Sequence, residues 1–488
     1  MDHPSRPLVC ATVTGRSTAE LRARRDEVTG ADLVEVRIDA VEDPDAAGAI
    51  AGRSLPVVVT CRRRDEGGWF RGSERERRAL LLSALDGGAD YVDLEFAHGF
   101  DDEIRARHGR RIVLSLHDFG GCPADLEARV DAMAALGPDV LKVAISVSRV
   151  AECGRLAALA RRHAARRLVL VAMGEAGLVT RLLPGRFGSC WTYAGDGVAP
   201  GQIDTGRLHT EFRFGRIGPR TTIYGIAGRP IAHSLSPAMH NAAFESLGLD
   251  AAYVPLAAAD IDDLFDGMGL VGLAGASVTA PFKVEVMRGL ASCDEDARLT
   301  GAVNTLVRAS EGWRGYNTDL DGFLAGCAGL ELDRQRVAVL GTGGAARAVA
   351  LAARRSGAAV TCYGRDQARA GAMAAAIGVG AVLRPVPPGA WDLLVNATPV
   401  GMHPDAEQSA FPESNYDGRV VYDLVYNPLR TRLLREASAH GCRAIGGLGM
   451  LIAQARRQIE LWTGLRPDAA PMREAAEWSL SRQAEQRT

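Results

Sequence analysis

Lysine is nearly missing from this chain. Of 57 basic residues only Lys142 and Lys283 are lysine, and the rest are arginine. An ε-amine can shed its proton and attack a carbonyl, or pass a proton at neutral pH. A guanidinium with a pKa above about 12 cannot. Paired cysteines are missing too: the nine cysteines are scattered and form no C-x-x-C. That excludes a disulfide framework and a structural zinc site, and no metal is expected. No apolar run approaches the roughly 18 residues of a spanning helix, so no membrane partner is expected. The start, MDHPSRPLVCATVTG, lacks the apolar core of a signal peptide, which points to the cytoplasm. With a net charge of −2 there is no global field for nucleic acid.

What is present is ordinary soluble composition, 47% hydrophobic and 24% charged, in a chain of 488 residues. That length calls for more than one core. Short β-rich runs recur at 8–15, 33–39, 56–62, 91–96, 111–119, 140–146, 168–174 and 190–194, with helical stretches such as 73–85 and 124–136 between them. The runs are apolar on both faces, as buried parallel strands are. Eight strands alternating with helices predict an α/β fold built as a (β/α)8 barrel, with a doubly wound sheet as the competing architecture. Polar residues gather at the C-terminal ends of these runs: Glu35, Arg37 and Asp39; Arg62, with Glu66 beyond it; His117 and Asp118. In a barrel those ends share one mouth. Lys142 lies inside the sixth run, either as half of a buried ion pair or as a Schiff-base amine. Burial and converging arginines favour the neutral, nucleophilic form. His117 is the candidate proton shuttle.

The stretches LVEVRID, TCR followed by DEGG, SLHDF, VLKVAI, LVTRLLPG and APGQI together resemble type I 3-dehydroquinate dehydratase over most of residues 7–215. The resemblance implies that Lys142 forms an imine with the substrate ketone. His117 moves the protons, Glu66 orients His117, and water leaves by syn elimination. It further implies that Glu35, Arg37 and Arg62 hold hydroxyls and the charge network, that Arg181 grips the carboxylate, and that Gln202 closes from a lid loop. The family's usual serine before APGQ is Val198 here, which removes a lid hydroxyl.

A polar, Gly/Pro-punctuated segment at 212–220 reads as a linker. Further on, RVAVL at 336–340 leads into Gly341-Thr342-Gly343-Gly344-Ala345-Ala346 and a helix. This is the glycine turn of a dinucleotide-binding βαβ unit, where backbone N–H groups meet a pyrophosphate. The next strand ends at Gly364-Arg365-Asp366, with Arg369 one turn on. Two guanidiniums suit a 2′-phosphate, so NADP is the expected cofactor, with Asp366 as a counter-indication. Lys283 and the downstream Asp319 form a salt bridge or, in a cleft, a proton donor to a carbonyl.

GIAGRPIAHSLSPAMHN, SVTAPFK, GAVNTL, YNTDLDG, GTGGAAR, VNATPVGM and GLGMLIAQA resemble shikimate dehydrogenase across 222–488. That implies Lys283 and Asp319 as the catalytic pair, and Ser234, Ser236, Thr279, Asn304, Tyr426 and Gln454 as substrate contacts. It places NADP on Gly341, Gly343, Gly344, Ala345, Arg365 and Arg369, with Asn396, Thr398 and Met450 on the nicotinamide side. The family's asparagine before the NADP arginine is Gly364 here, and its acidic residue before GLGM is Gly446. Ser236 and Thr279 favour shikimate over the alternative substrate quinate.

The order of the halves resembles the plant-type fusion, in which the first product, 3-dehydroshikimate, is the second substrate. The implied layout is a dehydratase barrel at 1–216, a substrate lobe at 221–322, a Rossmann-type NADP lobe at 323–455, and helices at 456–488 returning to the substrate lobe. Small-molecule substrates are the expected partners, with a monomer or weak homodimer as the assembly.

Overall fold

The computed structural model describes residues 6–485 apart from 101, 103–105, 196–200, 384 and 412–415. Val198 therefore lies outside the described residues. The chain divides into two compact units: 1–222 with 230–232 and 250–272, and the remainder.

In the first unit, eight strands run β1 Leu8–Thr14, β2 Leu33–Arg37, β3 Val57–Thr60, β4 Tyr91–Glu95, β5 Ile112–Asp118, β6 Val140–Ser146, β7 Arg167–Met173 and β8 Trp191–Ala194. Their spatial order is β7-β6-β5-β4-β3-β2-β1-β8, and the pairs are parallel. The two ends of this order, β7 and β8, meet through Leu168 and Ser189, so the sheet curls into a barrel and the open-sheet alternative fails. Closure between β7 and β8 is thin. Among the described residues it rests on one bridge, Leu168 to Ser189, one main-chain bond from Cys190 N to the Leu168 carbonyl (2.8 Å), and the Ser189 hydroxyl, which accepts from Leu170 N (2.8 Å) and donates to the Leu170 carbonyl (3.4 Å). Cys10, Leu33, Val58, Val113, Val140, Val169 and Trp191 fill one buried cluster. The register sets Ser115 beside Lys142 and His117 beside Ala144. Polar side chains are thus lifted above the apolar floor toward the C-terminal rim.

In the second unit, strands Thr222–Ala227, Leu273–Val278, Thr305–Ala309, Gly312–Tyr316 and Ser292–Cys293 lie side by side in that order. A second, all-parallel sheet has the order Gly380–Leu383, Ala359–Gly364, Arg336–Leu340, Leu393–Asn396, Val420–Asp423, Arg443–Ile445. Its first strand in sequence, Arg336–Leu340, sits centrally. Successive strands are added first to one side of it and then to the other, so a crevice opens at that strand's C-terminal end. The alanine-rich helix Gly344–Arg355 buries Ala348, Val349, Leu351 and Ala352 against Val337 and Val339. Small side chains allow that helix to pack closely on the sheet. The helix Leu448–Thr463 carries Trp462, which stacks on Tyr224 (4.9 Å) and donates from Nε1 to the Leu306 carbonyl (2.9 Å).

Candidate active sites

Lys142 is 5% exposed, and its strand directs it into the barrel. Its Nζ donates to Asp93 Oδ2 (2.8 Å) and Glu35 Oε1 (3.4 Å), and it lies 4.3 Å from the centroid of the Tyr193 ring. The sequence suggested arginines around this amine, but two carboxylates are its direct partners. Arg62 turns instead to Asp93 (2.9 Å), Glu95 (3.2 Å) and the Ser115 hydroxyl (3.0 Å). Burial works against the Arg62 charge, but Asp93 and Glu95 outweigh it and raise its pKa. Burial likewise opposes the Asp93 charge, yet Arg62 and Lys142 hold that carboxyl well below the usual range. Glu35 is fixed by the Thr12 (3.0 Å) and Thr60 (2.9 Å) hydroxyls, and Gln202 Nε2 donates to Thr12 (3.3 Å).

His117 Nδ1 lies 3.0 Å from Glu66 Oε2. Burial, then the positive charges of Arg62 and Lys142, push His117 well below its ordinary value. Burial also drives the Glu66 carboxyl up to about 8. The pair is therefore neutral near pH 7 and holds one transferable proton that either partner can carry. Arg37 makes a two-pronged contact with Asp39 (2.7 and 2.8 Å) and is covered by the Trp69 ring at 5.1 Å. Arg181 is 3% exposed, and burial brings its guanidinium down to about 10. Glu35, Arg37, Arg62, Glu66, His117, Lys142, Arg181 and Gln202 all line one cavity of about 180 Å³. A larger groove of about 1360 Å³ beside it, walled by Arg16, Glu42, Trp69 and Arg71, holds none of these groups.

In the second unit Lys283 Nζ donates to Asp319 Oδ2 (2.6 Å). Asn304 Nδ2 donates to Asp319 Oδ1 (2.8 Å) and to Gln454 Oε1 (3.2 Å), so four of the expected residues share one network. Ser236 opens the helix Ser236–Ser246, and its N–H donates to the Ser234 hydroxyl (3.2 Å). Thr279 and Tyr426 are half-buried, and none of the described contacts ties their side chains to the lysine network. On the nucleotide side, Asn396 donates to Asp423 (2.9 Å) and accepts from the Thr398 hydroxyl (2.7 Å). Burial raises the Asp423 carboxyl to about 6. Met450 is buried, with its carbonyl against Gly322.

The glycine turn fits a pyrophosphate. Gly341 has φ +122°, and a Cβ there would stand 3.0 Å from the Ala397 carbonyl. Gly343 N-caps the helix Gly344–Arg355 without any side-chain cap, and the space where its Cβ would be is open. The uncapped N–H groups, Ala345 among the first-turn residues, are thus left for an anion. Gly344 lies next to the Lys283 side chain, with a built Cβ 3.3 Å from Lys283 Cδ. Arg365 and Arg369 are exposed beyond the neighbouring strand. Asp366 caps the helix Gln367–Ile377 by accepting from Arg369 N (3.1 Å), so its acidity serves the helix start. A Cβ at Gly364 would meet Thr342 Cγ2 at 3.0 Å and Ala370 Cβ at 3.1 Å, which accounts for glycine at that position. Nothing in the structure explains Gly446.

Three groups of residues escaped the sequence reading. Asp93 and Ser115 contact the Lys142 network; a carboxylate inside the apolar run YVDLE was the available signal. Asp423 underlies Asn396. His240 and Gln458 are buried behind Ser236 and Asn304.

Family models place these sites in context. Residues 9–217 match type I 3-dehydroquinase, 226–306 the shikimate dehydrogenase substrate binding domain, and 447–477 the shikimate 5′-dehydrogenase C-terminal domain. A bifunctional 3-dehydroquinate dehydratase/shikimate dehydrogenase of Arabidopsis thaliana chloroplasts is 33% identical over 94% of this chain and 82% of its own. A Microcystis aeruginosa shikimate dehydrogenase (NADP+) is 39% identical over 53% of this chain and 97% of its own. A crystal structure of a shikimate dehydrogenase in complex with NADP+ is 35% identical, covers 54% of this chain and 97% of its own, and superposes with a TM-score of 0.52. The chain belongs to the family of bifunctional 3-dehydroquinate dehydratase/shikimate dehydrogenases, a lyase and an NADP-dependent oxidoreductase in one polypeptide.

Proposed function

We propose that the first unit removes water from 3-dehydroquinate through an imine on Lys142, and that the second reduces the resulting 3-dehydroshikimate to shikimate with NADPH. The observation that carries this reading is the convergence of Lys142, His117, Glu66 and Arg181 on one small buried cavity. Asp93 and Glu35 orient the amine and lie close enough to take its proton as it attacks the ketone. Imine formation releases one water. His117 then removes the proton next to the imine carbon, and the same proton returns to the departing hydroxyl, which leaves as a second water. Hydrolysis of the product imine takes one water back and frees Lys142. Glu66 holds the His117 ring and can exchange its proton with it. Arg181 suits the substrate carboxylate, because a buried guanidinium lacks competing water.

In the second unit, Lys283 paired with Asp319 donates a proton to the carbonyl oxygen, while Asn304, itself bonded to Gln454, holds the carboxylate of that pair in place. Bound NADPH supplies the hydride. Gly341, Gly343, Gly344 and Ala345 would hold its pyrophosphate, and Arg365 with Arg369 its 2′-phosphate. Asn396, Thr398 and Met450 would flank the nicotinamide, and Ser234, Ser236, Thr279 and Tyr426 would contact the substrate. The division at 1–216, 221–322, 323–455 and 456–488, a cytoplasmic location, no nucleic-acid partner, and a monomer or weak homodimer complete the reading. Among the described residues no helix is long and apolar enough to cross a membrane.

Borohydride reduction in the presence of 3-dehydroquinate should label the parent chain covalently and leave Lys142→Arg unlabelled. Equal labelling of both would sink the imine assignment. Lys283→Ala should cut shikimate oxidation by two or more orders of magnitude while NADPH binding persists; loss of NADPH binding would make Lys283 a folding residue.

A further inference from the structure

His240 and Gln458 take no part in the roles assigned above, yet both are almost fully buried, at 1% and 4% exposed. His240 lies one helical turn after Ser236, and its Nδ1 is 2.8 Å from the Ser236 carbonyl oxygen. Its Nε2 is 3.1 Å from the Gln458 side-chain amide. Gln458 comes from a different element, the helix Leu448–Thr463, one turn after Gln454. Its amide also accepts from the Ser277 hydroxyl (2.8 Å) and reaches the Thr305 hydroxyl (3.1 Å) and the Asn304 carbonyl (3.4 Å). Burial pushes His240 down to about 4, so its links are dipolar and unchanged across the working pH range. Residues 454 and 458 share one face of their helix. Gln454 meets the Asn304 side chain and Gln458 the Asn304 backbone, so the helix grips that residue twice.

We propose that His240 and Gln458 are positioning residues for the shikimate site: one buried hydrogen-bond chain ties the backbone at Ser236 to the Asn304–Thr305 segment and fixes the spacing of two substrate-contacting elements. This rests on the reading of Ser236 and Asn304 as substrate contacts. A buried hydrogen-bond network that crosses from one element to another restricts the arrangements open to both. Displacement of a positioning group by about 1 Å is enough to degrade a binding geometry. A carboxamide suits the task because its oxygen takes and its NH2 gives hydrogen bonds without charge, which the Ser277 and Thr305 hydroxyls and the Asn304 carbonyl require. The rest of the lysine network would stay in place without it, since Asn304 keeps its own bond to Asp319.

Gln458→Met preserves length and removes the amide. The shikimate KM should rise roughly five- to tenfold, with kcat changed less than about twofold. NADPH affinity by fluorescence and dehydratase turnover should match the parent. His240→Phe keeps a ring without nitrogens and should give the same shift. The double variant should go no further than either single, because both break one chain. An unchanged KM in either NADPH-binding variant overturns the proposal, as do additive effects in the double. Loss of NADPH binding in both variants makes the pair a folding element and overturns it as well. A parent chain that does not oxidise shikimate at all would instead remove the reading on which the proposal rests.

Discussion

Glu66 shows how much one buried carboxyl can do. Arg62 lies 3.9 Å away and His117 3.0 Å away, yet burial lifts its pKa from 4.5 to about 8. The folded state therefore favours the protonated form. Stability from this group is complete below about pH 4.5 and declines as pH rises through about 8, since the unfolded chain ionises first. Glu66→Gln keeps the neutral shape. Its unfolding free energy relative to the parent should climb across that window and level off above it, by an order of 3–5 kcal/mol. Denaturant titrations at stepped pH would measure this; a flat difference would show that Glu66 ionises normally in the fold. The same substitution should lower dehydratase turnover, because an amide cannot exchange a proton with His117. Residues of this kind were legible where a rare residue type met a telling place: Lys142 inside an apolar strand, His117 at a strand end. Asp93 carried a similar signal in YVDLE but was read as part of the strand. Gln458 carried none, because a glutamine on an amphipathic helix ordinarily faces water.

Among elements, the eight barrel strands were readable to within one or two residues, because strands buried on both faces write continuous apolar runs. After the strand Ala359–Gly364 only a turn carrying Arg369 was read; the helix Gln367–Ile377 and the task of Asp366 before it were not. Asp366 looked like a mark against NADP, and the fold uses it as a helix cap. Asp366→Ala should cost about 1 kcal/mol of stability. By removing a negative charge 3.6 Å from Arg369 it should leave the preference for NADPH over NADH intact or larger. Paired Michaelis constants for the two nucleotides check this; a weakened preference would mean Asp366 itself orders the phosphate site. The substitution at Gly364 was visible from sequence, but its reason was not, since contact with Thr342 and Ala370 exists only once strand and helix have packed.

For the whole molecule, two reactions on one chain supply an internal control. Each unit has its own buried clusters, so a ligand of one site should act first on its own unit. NADP+ at about 100 times its Kd should stabilise the unit that binds it by roughly 2.7 kcal/mol. Calorimetry should show this as an upward shift of one part of the unfolding profile, while dehydratase activity fades at an unchanged temperature. A uniform shift of both would show that the units unfold together. The succession of two folds was legible because a strand–helix alternation gives way to a glycine turn and a second alternation. The return of the helices at 456–488 to the substrate lobe was expected from the resemblance alone, since helix pairings between distant segments, such as Trp462 on Tyr224, leave no periodic trace.

The thin closure between β7 and β8 has a further effect. A serine side chain completes there what backbone groups complete everywhere else around the ring. Arg181 follows one of these strands and Gln202 the other, so the give in the wall lies between the two residues assigned to the substrate carboxylate and the lid. Amide protons along that edge should exchange with solvent soonest, and occupancy of the cavity should slow them most.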